Sequence, residues 1–273
     1  MRMGVDQVKP LLDRFTARAA DVLPLVALWA HGSLALGDFQ PGRSDLDLVA
    51  LVAADITGAQ REQLQRMHEA LIRDEELADK LHCSYVVRDQ LASAGRCHVT
   101  WAMGELFDRP VSPISRRELG QGGLCLYGPG PAALVPAITD QELTDYVRAD
   151  LRDYWHPKTD KPELWLHDIW VDLGLLTLAR ASVTLHDGRL ISKREALEVL
   201  ARLDAPADVV DDIYQRRYAA GQPISEQWRS RRALLARTFV RDGIPRILQT
   251  PRAVQPARPG RPQPPTPRRE ERP

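Results

Sequence analysis

Apolar residues at Val8, Leu11, Leu12, Phe15 and Ala19 keep the three- and four-residue spacing of one helix face and predict a helix over 8–22. "PLVALWA" (24–30) is a short apolar run of strand length. "SDLDLVALV" (44–52) reads as a second strand, buried on at least one face, and "LHCSYVV" (81–87) as a third. Leu64, Met67 and Leu71 mark a helix within 57–75. The order helix, strand, turn, strand, helix, strand is that of a small α/β unit.

After about residue 112 the pattern changes. Strand-like runs become few. The stretches 141–155, 163–186, 192–203, 207–219 and 225–241 all carry helical spacing, and Gly188 stands as a stop between two of them. A helical domain is therefore expected to follow, with the boundary between 110 and 138 near "LYGPGPAALVP". The proline- and arginine-rich stretch 251–273 has no apolar periodicity and predicts a disordered tail.

Composition narrows the classes. The chain has 273 residues, 44% hydrophobic and 27% charged, enough for a packed core in one large domain or two modest ones. Its 37 basic and 37 acidic residues cancel, which argues against a general nucleic-acid binder. No apolar run reaches the ~18 residues of a membrane span, and "MRMGVDQVKPLLDRF" lacks the apolar segment of a secretory signal. Cys83, Cys97 and Cys125 form no close pair and read as reduced thiols, so a cytoplasmic location is expected.

The chemistry concentrates in "HGSLALGDFQPGRSDLDLV" (31–49). Residues two apart on a strand share a face, so Asp45 and Asp47 point one way while Leu46 and Leu48 point to the core. Two neighbouring carboxylates repel, and their burial is costly unless a cation neutralises them. Mg²⁺ prefers such oxygens and leaves positions for substrate phosphates. Gly32-Ser33 sits where the first strand ends, and a glycine there lets backbone approach a ligand closely. A helix start after it would offer N–H groups to phosphate, and the Ser33 hydroxyl adds a donor.

The pattern Gly32-Ser33, a short spacer, then Ser44-Asp45-Leu46-Asp47-Leu48 resembles the DNA polymerase β-like nucleotidyltransferase superfamily. "LTLARASVTLHDGRLISKREALEVL" (176–200) is similar to the C-terminal helical signature of its streptomycin- and spectinomycin-directed aminoglycoside adenylyltransferases. The resemblance spans roughly residues 25–220. It implies an α+β chain: a small mixed-sheet nucleotidyltransferase domain over 1–115, an α-helical bundle domain over 116–245 and a disordered tail over 246–273.

It also implies ATP as donor and a small-molecule hydroxyl, best an aminoglycoside or aminocyclitol, as acceptor, with no nucleic acid or membrane partner and a monomeric chain. Gly32 and Ser33 would hold the triphosphate, with Ser44 assisting. Asp45 and Asp47 would ligate two Mg²⁺ ions. Arg180 and Lys193 would reach the phosphates from the helical domain, where their charge suits the transition state.

The resembled family carries a third carboxylate on the next strand. Here Leu81-His82-Cys83-Ser84-Tyr85 puts histidine at that position. His82 could be the general base, since an imidazole suits proton transfer near neutral pH. Asp79 or Glu105 could substitute from elsewhere, or the site could bind nucleotide without turnover as a regulator. A protein-AMPylating enzyme is the other alternative, disfavoured by the fused helical domain. For a polycationic acceptor, Trp165, Asp168 and Asp172 are candidates, because Asp168 and Asp172 share a helix face. Glu163 with His167, and Trp101 with His98, are further possible walls.

Overall fold

The computed structural model describes residues 2–249 apart from 94 and 222. The chain opens with helix α1 (Arg2–Val22) and strand β1 (Leu25–Ala30), then a single turn, α2 (Gly32–Ala35), leads towards β2 (Leu46–Val52). Helix α3 (Gly58–Asp74) crosses to β3 (Leu81–Val87), followed by β4 (Cys97–Ala102) and β5 (Glu105–Pro110). Helix α4 (Pro113–Gly122) returns the chain to β6 (Leu124–Tyr127).

Among the described residues these strands form one six-stranded sheet in the order β5-β4-β3-β2-β1-β6. Only β2 and β3 run parallel. A parallel neighbour needs a crossover, which α3 supplies. Its start is firm, because Thr57 and Gln60 close a capping box.

The alternation expected of β2 is observed. Leu46, Leu48, Ala50 and Val52 pack with Phe15, Leu64 and Leu71 under α1 and α3. Val49 and Leu51 face the other way, with Trp29, Val86 and Leu119 of α4. Asp47 lies on that second side, so the leucines anchor the strand while the carboxylates face away from the main core. Each fully buried leucine contributes about 1.5–3 kcal/mol to this anchoring.

Short α5 (Pro131–Leu134) leads to the helical part: α6 (Asp140–Ala149), a π-helical turn over Asp150–Trp155, α7 (His156–Lys158), α8 (Asp168–Asp187), α9 (Lys193–Arg202), α10 (Ala207–Tyr218) and α11 (Glu226–Gln249). A core of Leu143, Trp165, Leu175, Leu178, Leu200, Ile213 and Val240 joins them. The fold is α+β, a mixed sheet followed by helices.

The structure departs from the pattern at four places. β4, β5 and β6 carry no strong signal: β5 is an exposed edge strand and β6 is four residues of alternating exposure. β6 pairs with β1, so the sheet takes a strand from beyond residue 115. The helix expected over 163–186 is broken, because Pro162–Leu166 forms a 3₁₀ turn and His167 is extended before α8. α11 continues to Gln249 where a tail was expected from 246, and residues 250–273 lie outside the described ones. Among the described residues no helix is long and apolar enough to cross a membrane.

Candidate active site

β1 delivers the chain to His31, whose backbone N–H donates to the Asp47 carbonyl at 2.9 Å. Gly32 then turns into α2 with φ +62°, a conformation that favours glycine. A Cβ on Gly32 would stand 2.5 Å from Oδ2 of Asp47. The glycine is thus the space into which the Asp47 carboxylate fits, and the two halves of the motif interlock. Beside them the Ser33 hydroxyl is buried without a hydrogen-bond partner. The loop back to β2 uses Gly37 and Gly42 at φ +72° and +73°.

These residues open into a cleft of about 450 Å³ between sheet and helices. Gly32, Ser33, Asp45 and Asp47 line it from the sheet side, Arg180 of α8 and Lys193 of α9 from the helical side. Residues about 150 positions apart in sequence therefore meet in one cleft. Burial lowers the Lys193 pKa, and the charges of Arg217 and Arg180 lower it further, against the pull of Asp47 and Asp45.

His82 stands directly across from Asp47 in the β2–β3 register, with Nδ1 3.9 Å from Asp47 Oδ1. It flanks the carboxylate rather than lining the cleft wall. Ser44 is buried, and its hydroxyl accepts the Gln40 N–H at 3.0 Å, which shapes the loop instead of facing the cleft.

The acceptor residues expected on the helical side are placed elsewhere. Trp165 is fully buried, donating its indole N–H to the Lys158 carbonyl at 3.1 Å. Asp168 pairs with Arg232, and Asp172 with Arg216. Asp212 bridges both arginines. All five charges serve one ion-pair lattice between α8, α10 and α11. Trp101 stacks on His68 at 4.5 Å under α3, and neither it nor His98 lines the cleft. Asp79 pairs with Lys80, Glu105 is exposed on β5, and Glu163 and His167 are exposed, all away from the cleft.

Sequence reasoning missed two cleft carboxylates, Asp38 in the loop after α2 and Glu118. Glu118 of α4 is 8% exposed. Its Oε2 contacts His31 Nδ1 at 2.9 Å and accepts the Gly32 N–H at 3.2 Å. Its Oε1 accepts from Arg180 at 3.2 Å. Burial alone would raise its pKa, but the His31 hydrogen bond and charge, the Arg180 charge and the Gly32 amide together hold it below the ordinary range. Arg109 at the end of β5, Tyr146 of α6 and Leu173 of α8 complete the walls. Nothing local marks Glu118: it sits in a helix 86 residues from Gly32 and joins it only by packing.

The donor set fits magnesium. Asp45 and Asp47 present carboxylate oxygens to the cleft beside a glycine cradle, and among the described residues no group of three or more His, Cys, Asp or Glu is arranged to hold a metal. Two carboxylates leave the remaining positions to water and substrate phosphates.

No protein-family model and no curated sequence matches the chain. Solved structures do. One is a crystal structure of spectinomycin adenyltransferase AAD(9) from Enterococcus faecialis with ATP and spectinomycin. The likeness covers 89% of this chain and 98% of that one at 16% identity, with a TM-score of 0.65. It extends over sheet and helices together, so the chain shares the fold of that structure.

Proposed function

We propose that the protein is a Mg²⁺-dependent nucleotidyltransferase that moves AMP from ATP to a hydroxyl of a small molecule, with an aminoglycoside or aminocyclitol as acceptor. The observation that carries this reading is the cleft itself. It gathers the Gly32-Ser33 turn, the Asp45/Asp47 carboxylates and two cations from the helical side. The acceptor class is supported by the likeness to an enzyme whose structure holds ATP and spectinomycin.

Each residue then has a task. The buried, unpartnered Ser33 hydroxyl donates to a phosphate oxygen. Arg180 and Lys193 hold the β- and γ-phosphates and stabilise the charge of departing pyrophosphate. Asp45 and Asp47 would hold magnesium, which supplies charge neutralisation at the reacting phosphate. The acceptor oxygen attacks the α-phosphorus, the bond to the bridging oxygen of the β-phosphate breaks, and pyrophosphate leaves. The proton of the attacking hydroxyl passes to a base, for which His82, 3.9 Å from Asp47 on the neighbouring strand, is the candidate.

The test is direct. Purified protein is incubated with Mg²⁺, ATP and either spectinomycin or streptomycin. Pyrophosphate and a product heavier by one AMP are expected, and Asp47→Asn should abolish both. Absence of product across a broad aminoglycoside panel would overturn the acceptor assignment. Absence of ATP binding would overturn the nucleotidyltransferase reading.

A further inference from the structure

Asp38 is a buried carboxylate on the cleft wall to which the proposed chemistry gives no task. It lies in the loop after α2 and is 6% exposed. Its own N–H donates to the Ser33 carbonyl at 2.9 Å, which fastens it to the Gly32-Ser33 turn. Its Oδ2 accepts from two distant groups: the backbone N–H of Arg194 at 3.0 Å and the Tyr218 hydroxyl at 2.9 Å. Its Oδ1 lies 3.5 Å from Nε of Arg194. The Arg194 guanidinium stacks over the Tyr218 ring at 4.0 Å. Five residues on, Arg43 donates to the Ala219 carbonyl at 2.6 Å. One loop of the sheet part therefore grips the first turn of α9 and the end of α10.

Removing a carboxylate from water is costly unless hydrogen bonds and charge offset it. Among the described residues the side-chain partners of Asp38 are Arg194 and Tyr218, both on the helical part, and its buried Oδ1 makes no hydrogen bond, so Oδ2 and the Arg194 charge favour the docked arrangement. The N-terminus of α9 adds its dipole to the attraction. The residue before Arg194 is Lys193, which shares the cleft with Asp45 and Asp47.

We propose that Asp38 is a positioning residue. It docks the first turn of α9 onto the Gly32-Ser33 turn and thereby sets Lys193 against the nucleotide phosphates. The docking stands on contacts alone; the consequence for nucleotide rests on the nucleotidyltransferase reading above.

Hydrogen–deuterium exchange and Mg²⁺-ATP titration test it on the full chain, with Asp38→Ala, Asp38→Asn and Tyr218→Phe. The α9 first-turn amides should exchange at least about tenfold faster in Asp38→Ala, the size expected for losing a hydrogen bond to a charged group. Asp38→Asn and Tyr218→Phe keep part of the grip and should fall between. The KM for ATP should rise about tenfold in Asp38→Ala while the acceptor KM stays unchanged. In a Lys193→Ala background, Asp38→Ala should add almost nothing to the ATP effect. Unchanged α9 exchange in folded Asp38→Ala overturns the docking, and additive ATP effects overturn the route through Lys193. If the wild-type protein binds no ATP, the nucleotidyltransferase reading and the Lys193 route fall together, while the exchange result still decides the docking.

Discussion

Asp47 and His82 face each other across the one parallel pair of the sheet, with 3.9 Å between Oδ1 and Nδ1. The register of β2 against β3 sets this distance, so the imidazole stands beside the carboxylate that would hold magnesium. If His82 is the base, His82→Ala lowers kcat about 10²–10⁴-fold with the KM for ATP unchanged. His82→Glu restores a carboxylate there and should retain turnover. Steady-state kinetics of the three proteins decide the matter, and an unchanged kcat in His82→Ala removes the histidine from the chemistry.

Gly32→Ala should fail twice. At φ +62° the alanine costs about 1–2 kcal/mol. Its Cβ would also meet Oδ2 of Asp47 at 2.5 Å and displace that carboxylate. A lower urea midpoint and loss of Mg²⁺-dependent turnover are expected together. Turnover that survives would show that Asp47 need not occupy this position.

The aspartates of α8 should matter for stability rather than acceptor binding. Arg232 has no exposed side-chain surface and is paired by Asp168 and Asp212. Asp212→Ala leaves that guanidinium and Arg216 short of a partner inside the helical core. A loss of about 3–5 kcal/mol in urea denaturation is expected. Asp172→Asn should leave the acceptor KM within about twofold, by the same separation of core from cleft. A large rise in that KM would return Asp172 to the acceptor site.

His68 makes the fold sensitive to acid. Burial on the inner face of α3 lowers its pKa from 6.5 to about 3. The folded protein keeps it neutral, hydrogen-bonded at 2.7 Å to the Tyr85 hydroxyl. The unfolded chain therefore binds a proton that the folded chain does not. Its contribution is complete above about pH 6.5 and is lost towards about pH 3, at about 1.4 kcal/mol per pH unit. Urea midpoints at about pH 7.5 and about pH 5 should differ less in His68→Gln than in wild type. Equal differences would place the acid sensitivity elsewhere.

Period-two and period-3.6 patterns are local, and what they determine here is local. The alternation in 44–52 is enough to set Asp47 opposite the leucines, because the pleat allows no other arrangement once Leu46 and Leu48 are buried, and Asp45, the residue before β2, lines the same cleft. The same reasoning finds α1, α3 and the helices after residue 140, whose apolar stripes need a core. It does not find β5, which is largely exposed, or β6, whose Leu124/Leu126 face is too short to repeat. Nor can spacing tell that Asp168 and Asp172 are neutralised, because their partners come from α10 and α11, dozens of residues away. Glu118 reaches the cleft, and Asp38 reaches Arg194, only when separate elements pack. Sequence alone determined which side chains could carry the chemistry and which way their strand presents them. Tertiary structure decided which charges are already spoken for by buried partners and which remain open to a ligand, because pairing depends on distance in space and not on separation along the chain.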